Sequence, residues 1–238
     1  SCLNRWLTEV EWDVHQLNNR RLRWLQEEPS TRYSDHGVIA LDNVLIDHDG
    51  KLIENVGYFW DHAEHRHKIA HDYLIANYVC TSGKHYPLEF RLFIKRDRCE
   101  AEKIAFRDHN VLFREEVDWV CDRHIPGDFT FDSWFTHAPN LNHIHKRHRG
   151  YVGDLKFNRK IIFQGQMHKA EEVAALIDPQ DRKPLDIGDE RQWYFTKSVR
   201  IPEVDHPVRI VILWDRRNGK EPGKILVTNR TYWEVSRI

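Results

Sequence analysis

The sequence predicts a mixed α/β domain interrupted by a β-rich stretch. A continuous apolar run at 38–41 is followed by two aromatic-rich runs, 71–79 and 85–94, that read as a hairpin across Cys80-Thr81-Ser82-Gly83-Lys84. Residues 99–123 then carry helical periodicity and lead into a short strand at 129–131. Beyond residue 151 the chain breaks into short strand-like pieces with turn signals between them.

The elements follow in order. Leu3, Trp6, Leu7, Val10, Val14, Leu17, Leu22 and Leu25 fall mostly three or four apart, so 3–26 reads as a helix, ended by Glu28-Pro29-Ser30. Val38-Ile39-Ala40-Leu41 reads as a strand buried on both faces, Val44-Leu45-Ile46 extends it, and His48-Asp49-Gly50-Lys51 is a turn. Within 99–123, Ile104, Ala105, Leu112, Val117, Val120 and Cys121 lie near a 3.6 period; Pro126-Gly127 ends that connection. Pro139 suits the first turn of a further helix and Gly150 its C-terminal cap. Strands are expected at 151–157, 160–163, 192–201, 208–214 and 224–227, with a helix at 170–176, a turn at Asn218-Gly219 and the opening of a helix at 231–238. No internal repeat or low-complexity tract is visible.

A chain of 238 residues, 40% hydrophobic and 12% aromatic, can bury a core, which excludes wholesale disorder. No apolar run approaches the roughly 20 residues of a membrane-spanning helix; Ile210-Val211-Ile212-Leu213-Trp214 is among the longest. Arg5, Glu9 and Glu11 interrupt any leader-like segment, and the sole methionine is Met167, so an internal fragment of a longer protein is expected. Cys2, Cys80, Cys99 and Cys121 share no CxxC spacing, which points to reduced thiols in a cytoplasmic protein. The net charge of −1 hides blocks: −7 over 1–142, +5 over 143–160, −4 over 161–190 and +5 over 191–238. The two basic blocks fit either a polyanion partner or a solvated surface.

Asp42, after four apolar residues, and Asp132, in Phe129-Thr130-Phe131-Asp132-Ser133-Trp134, are the most informative residues. A carboxylate at the end of a core strand is poorly solvated unless it is paired, hydrogen-bonded or bound to metal. Two of them suit a hard divalent cation, which binds through one or two carboxylates and keeps several waters. The alternative is that each caps a helix or closes a turn.

The surrounding sequence resembles the DDE transposases of bacterial insertion sequences, most closely the insertion-sequence-four type with a β-rich insertion between the second Asp and the Glu. Leu3-Asn4-Arg5-Trp6-Leu7-Thr8 with Glu11-Trp12-Asp13 is similar to the segment ahead of the catalytic domain, and Gly37 to Asn43 to the first-Asp strand, although Asn43 stands where the family often has a second Asp. Tyr86-Pro87-Leu88-Glu89-Phe90-Arg91-Leu92-Phe93 resembles the family's P-L-D/E-W-R-L-Y strand, Phe131-Asp132-Ser133-Trp134-Phe135 its second-Asp motif, and Lys224-Ile225-Leu226-Val227-Thr228-Asn229 the strand returning from the insertion. The resemblance implies a ribonuclease H-like mixed sheet with flanking helices: 1–35 the end of an N-terminal helical region, 36–155 the first part of the core, 156–222 the insertion, and 223–238 the returning strand and start of a final helix. It implies Asp42 and Asp132 as catalytic metal ligands and a third ligand, a Glu within Tyr-x2-Arg-x3-Glu-x6-Lys, that this chain does not contain. Glu234 lacks that context and reads as a first-turn carboxylate.

The implied activity is Mg2+- or Mn2+-dependent DNA cleavage and strand transfer, with two ions ~3.5–4 Å apart clamping the attacking and leaving oxygens and Asp42 as the bridging carboxylate. DNA, comprising transposon ends and target, is the implied partner, with a homodimer as a candidate synaptic assembly and the bacterial cytoplasm, at the nucleoid, as the location. An inactive remnant that only folds or binds DNA, and a ribonuclease H-like nuclease without strand transfer, remain open. Lys146, Arg147 and Arg149, on the helix after Asp132, and Arg159 and Lys160 are candidate phosphate contacts. His62, His65, His67 and His71, with Asp61, Glu64 and Asp72, form a competing zinc-like cluster, but they enter an expected strand, where i,i+4 spacing brings nothing together. Relatives can seat a flipped base on an aromatic next to the returning strand; Gly223-Lys224-Ile225-Leu226 has none, and Trp193, Tyr194 and Trp214 lie elsewhere in the insertion.

Overall fold

A computed structural model describes residues 5–6, 9–50 and 53–238. The chain is mixed α/β, and the described residues form a ten-stranded mixed sheet, a separate two-stranded hairpin and five α-helices. Leu3, Leu7 and Lys51, to which the sequence assigned helix and turn positions, lie outside the described residues, as do Cys2 and Asn4.

Helix α1 (Val14–Glu27) starts at Asp13, whose Oδ1 accepts the Gln16 N–H at 2.9 Å. Only Leu22 of its apolar positions is buried. Asn18 and Arg21 donate to the Leu88 and Pro87 carbonyls, while Val14 and Leu17 stay exposed.

Strand β1 (Val38–Asp47) is central. On one side it pairs antiparallel with β3 (Arg66–Val79), which pairs in turn with β2 (Gly57–Asp61) and β4 (His85–Phe93). On the other side it runs parallel to β5 (Asp128–Phe131), and β5 runs parallel to β6 (Tyr151–Asp154). The expected helix at 99–123 is two, α2 (Arg96–Glu102) and α3 (His109–Asp122), because Lys103 turns left-handed (φ 56°) and ends the first. Helix α3 belongs to the crossover that a parallel β1–β5 pair requires. Helix α4 (Ala138–Lys146) keeps Pro139 in its first turn but ends at Arg147, with His148 left-handed (φ 57°). Gly150 does not cap it. A Cβ at Gly150 would collide with Arg230 and Asp128, whose paired side chains fill that space.

The hairpin of β7 (Lys160–Phe163) and β8 (Gln166–Lys169) and helix α5 (Ala170–Leu176) follow. The remaining strands β9 (Lys183–Ile187), β10 (Glu190–Val199), β11 (Val208–Trp214) and β12 (Lys224–Thr228) do not form a separate body. They extend the main sheet, joined to it where β12 pairs antiparallel with β6. Strand β6 stands between β5 and β12. Residues 231–238 hold a 3₁₀ turn, Val235–Arg237, and no α-helix.

One sheet face carries the core. Ile39, Leu41, Phe129 and Phe131 join Leu112, Phe113 and Val117 of α3 and Leu141 and Ile144 of α4, with Phe113 stacked on Phe135 at 4.9 Å. The opposite face is thinly covered. Trp233, Arg237 and Ile238 lie by Val38, Thr130 and Val152 along one cleft. Strand β1 is therefore buried on one face, with Ile39 and Leu41 in the core and Val38 and Asp42 exposed, where the sequence predicted burial on both. Among the described residues no helix is long and apolar enough to cross a membrane.

Candidate functional site

Three parallel strands reach the same level: β5 and β6 end there, while β1 runs on to Asp47. Leu41 is in register with Phe131, and Phe131 with Gly153, so the next residue on each strand is an aspartate: Asp42, Asp132 and Asp154. Neighbouring strands run about 4.8 Å apart, which sets these residues side by side on one face of the sheet. All three line one open cleft of about 280 Å³, with Ala40, Thr130, Val152, Leu226 and Lys224.

Period-two alternation explains the placement. Leu41 and Phe131 point into the core, so the following residues turn to the uncovered face. Asp42 and Asp132 are exposed there, although the Asp42 carboxyl stays partly desolvated, as its apolar lead-in suggested. Each also closes a local bond: Asp42 Oδ1 accepts the Asn43 N–H at 2.8 Å, and Asp132 Oδ1 accepts the Trp134 N–H at 3.0 Å. The turn-residue alternative thus holds for one oxygen of Asp132. It does not account for three carboxylates in one cleft.

Electrostatics couple the cluster. Partial desolvation raises the Asp42 carboxyl above its ordinary range, the Asn43 N–H opposes this, and the charge of Asp132 adds to the rise. Desolvation likewise raises Asp154; Lys224 and the Leu155 N–H pull it back, and Asp132 pushes it up. Lys224 Nζ lies 3.8 Å from Asp154 Oδ2 and is the cation lining the cleft. The donors are all oxygen, which is the chemistry a Mg2+ or Mn2+ ion takes. Among the described residues no group of three or more His, Cys, Asp or Glu side chains is arranged to hold a metal ion.

The expected phosphate contacts separate in the structure. Arg147 pairs with Asp118 and Asp122, and Arg149 donates to the Ile125 and Gly127 carbonyls. Arg159 donates to the Thr136 carbonyl. Lys146 is exposed and only 3.6 Å from Asp205, and Lys160 is exposed on β7. None of the five lines the carboxylate cleft. The histidine-rich segment is dispersed: His67 stacks on Tyr58, His71 bonds His48 at 2.8 Å, Asp61 and Glu64 hold Lys68, and Asp72 holds His109. Trp214 is buried in the core beneath Arg182.

Asp154 and Lys224 are the site residues that the sequence reading did not single out. The signal for Asp154 was present, since Tyr151-Val152-Gly153-Asp154 repeats the pattern of a short strand ending in Asp. Lys224 enters only through the β6–β12 pairing. A cavity of about 740 Å³ between α1 and β4 contains none of these residues. No protein-family model matches this chain, and no curated protein matches it.

Proposed function

We propose that this chain carries two catalytic carboxylates of a DDE-type DNA transposase on a ribonuclease H-like core, acting in DNA cleavage and strand transfer. One observation supports the reading above the others: Asp42 and Asp132 leave adjacent parallel strands at the same level and share a cleft. The arrangement of β3 and β4 antiparallel on the far side of β1 agrees with that core.

Asp42 and Asp132 would hold Mg2+ or Mn2+, which supplies Lewis-acid polarisation of a phosphodiester and an activated water when bound. Asp132 is oriented by the Trp134 N–H and Asp42 by the Asn43 N–H, so both carboxylates are positioned before substrate arrives. Lys224 neutralises Asp154, which keeps the third charge of the cleft from repelling a phosphate. Lys146 and Lys160, outward-facing, serve as phosphate contacts, whereas Arg147, Arg149 and Arg159 hold the fold. The reading calls for a third ligand, a Glu in the Tyr-x2-Arg-x3-Glu-x6-Lys context that the resemblance places on a helix after the returning strand. The partner is DNA at the bacterial nucleoid.

The test is nicking of a supercoiled plasmid carrying the element's terminal repeats, by the parent protein with and without Mg2+. Asp42→Ala and Asp132→Ala should each abolish nicking while leaving thermal unfolding cooperative. Full-rate nicking by the Asp132→Ala protein would overturn the assignment. Nicking without joined products would assign a ribonuclease H-like nuclease instead, and no nicking by the intact parent would assign a remnant.

A further inference from the structure

Helix α1 carries two apolar stripes, and only one of them meets the sheet. Leu22 is buried and Leu25 packs against the core. Val14, Leu17 and Trp24 run along a second flank and stay in water, 64%, 47% and 56% exposed. They line the cavity of about 740 Å³ between α1 and β4, joined there by Phe90 of β4, 59% exposed. Apolar side chains scattered singly over a surface need no explanation, but four that line one groove mark an interaction surface.

The charges of α1 say what fits there. Positions 13, 17 and 21 fall on one i,i+4 row, with Asp13 before Leu17 and Arg21 after it. At 1.5 Å per residue each lies about 6 Å from Leu17 along the helix, in opposite directions. Exposed Glu9 and Glu11 add to the acidic end, and Arg20, whose guanidinium lies 5.0 Å from the Trp24 ring centroid, adds to the basic one. Asp13 Oδ1 accepts the Gln16 N–H, and Arg21 donates to the Asn18 and Pro87 oxygens. Among the described residues none of Asp13, Arg20 and Arg21 forms an ion pair. A row that is acidic on one side of an apolar centre and basic on the other complements its own two-fold image. An antiparallel copy with Leu17 near the axis sets Asp13 against the partner's Arg21, twice over. A parallel copy would set Arg21 against the partner's Arg21, which costs energy.

We infer that this flank of α1, with Phe90 beside it, is the docking surface for a second copy of this chain, whose own α1 lies antiparallel across the groove. Val14, Leu17 and Trp24 of both copies supply the apolar centre. The two Asp13–Arg21 pairs fix the direction. No residue of the carboxylate cleft takes part, so the dimer forms without DNA or metal and does not rest on the transposase reading.

The experiment measures the mass of the 238-residue chain in solution by sedimentation equilibrium over a range of concentrations, in EDTA and without DNA. The wild type should pass from monomer to dimer as concentration rises. Leu17→Glu should weaken association by about a hundredfold or more, because symmetry counts each lost apolar contact twice and sets two like charges at the axis. Arg21→Glu alone and Asp13→Lys alone should each weaken it by about tenfold, each creating a like-charge pair twice over. Mixed in equal amounts, these two variants should form a heterodimer of nearly wild-type affinity, because each like-charge pair becomes an opposite-charge pair. Asp13→Lys gives up a helix cap, so far-UV circular dichroism of each variant accompanies the measurement. Recovery on mixing separates lost pairing from lost helix. A wild type that stays monomeric throughout would leave the groove to a different protein and overturn the inference. A dimer indifferent to Leu17→Glu, or a mixture no tighter than its components, would overturn it equally.

Discussion

Replacing Glu116 by Gln should flatten the dependence of stability on pH around neutrality. Glu116 lies on α3 with no exposed surface, its Oε2 accepting Arg91 Nε at 2.7 Å and its Oε1 without a partner. Burial outweighs the attraction of Arg91 and pushes the carboxyl from 4.5 to about 7, with Glu89 and Glu115 adding to the rise. A carboxyl with a raised folded-state pKa stabilises the fold fully below its unfolded value, and that contribution is lost as pH rises through about 7. The rise is worth about 3 kcal/mol at 1.36 kcal/mol per unit. The substituted amide keeps an oxygen for Arg91 and carries no proton to lose, and Arg91 retains Glu115 at 3.6 Å. Urea titrations of both proteins between about pH 5 and about pH 8 should show the wild type losing stability relative to Glu116→Gln by up to ~3 kcal/mol, other titrating groups cancelling in the difference. Parallel profiles would refute the reasoning, since Glu116 would then bind its proton equally in the folded and unfolded chain across that range.

Three further outcomes follow from the geometry around the site. A Cβ at Gly153 would stand 2.7 Å from the Phe131 ring and 2.8 Å from Thr136 Oγ1, so Gly153→Ala should cost about 1–3 kcal/mol in thermal or urea unfolding. Arg230 grips Asp128 through Nε at 2.8 Å and Nη2 at 2.6 Å, half out of water; Arg230→Ala should cost about 2 kcal/mol, and less in high salt. In metal-free buffer Asp42→Asn should raise the thermal midpoint at neutral pH, because it removes a desolvated charge facing Asp132; the gain should vanish on acidification, and adding Mg2+ should raise the wild-type midpoint more than that of the variant. A midpoint that falls on substitution would contradict the repulsion.

The sequence is most readable where apolar periodicity and burial coincide. The 208–214 run is β11 and the 170–176 helix is α5, residue for residue, since both bury a continuous apolar face. Strands β8 and β9, Gln166–Lys169 and Lys183–Ile187, carry largely exposed or half-exposed side chains and have no alternation to betray them; their partners in the sheet make them strands. The break between α2 and α3 is invisible for another reason: Lys103 takes the left-handed cap position that glycine ordinarily fills. At the site, Asp42 and Asp132 are legible because each follows an apolar strand segment. The register that aligns them with Asp154, and the approach of Lys224, belong to pairings between distant segments that no local pattern encodes. Arg147 and Arg149 show the converse, a basic run whose charges turn inward to acids and carbonyls of neighbouring elements.

The seam between β6 and β12 has a consequence for how the chain assembles. Strand β6 is four residues long, and its outer edge is completed only by Lys224–Thr228. During synthesis the strands up to β6 can gather on α3 and α4 while that edge still offers unpaired amides and carbonyls. Closure waits until β12 has emerged, a non-local step that slows folding. In that interval the bare edge is a template for the same strand of another nascent chain, and the Arg230–Asp128 clasp, which lies just past β12, can latch only after the edge is filled.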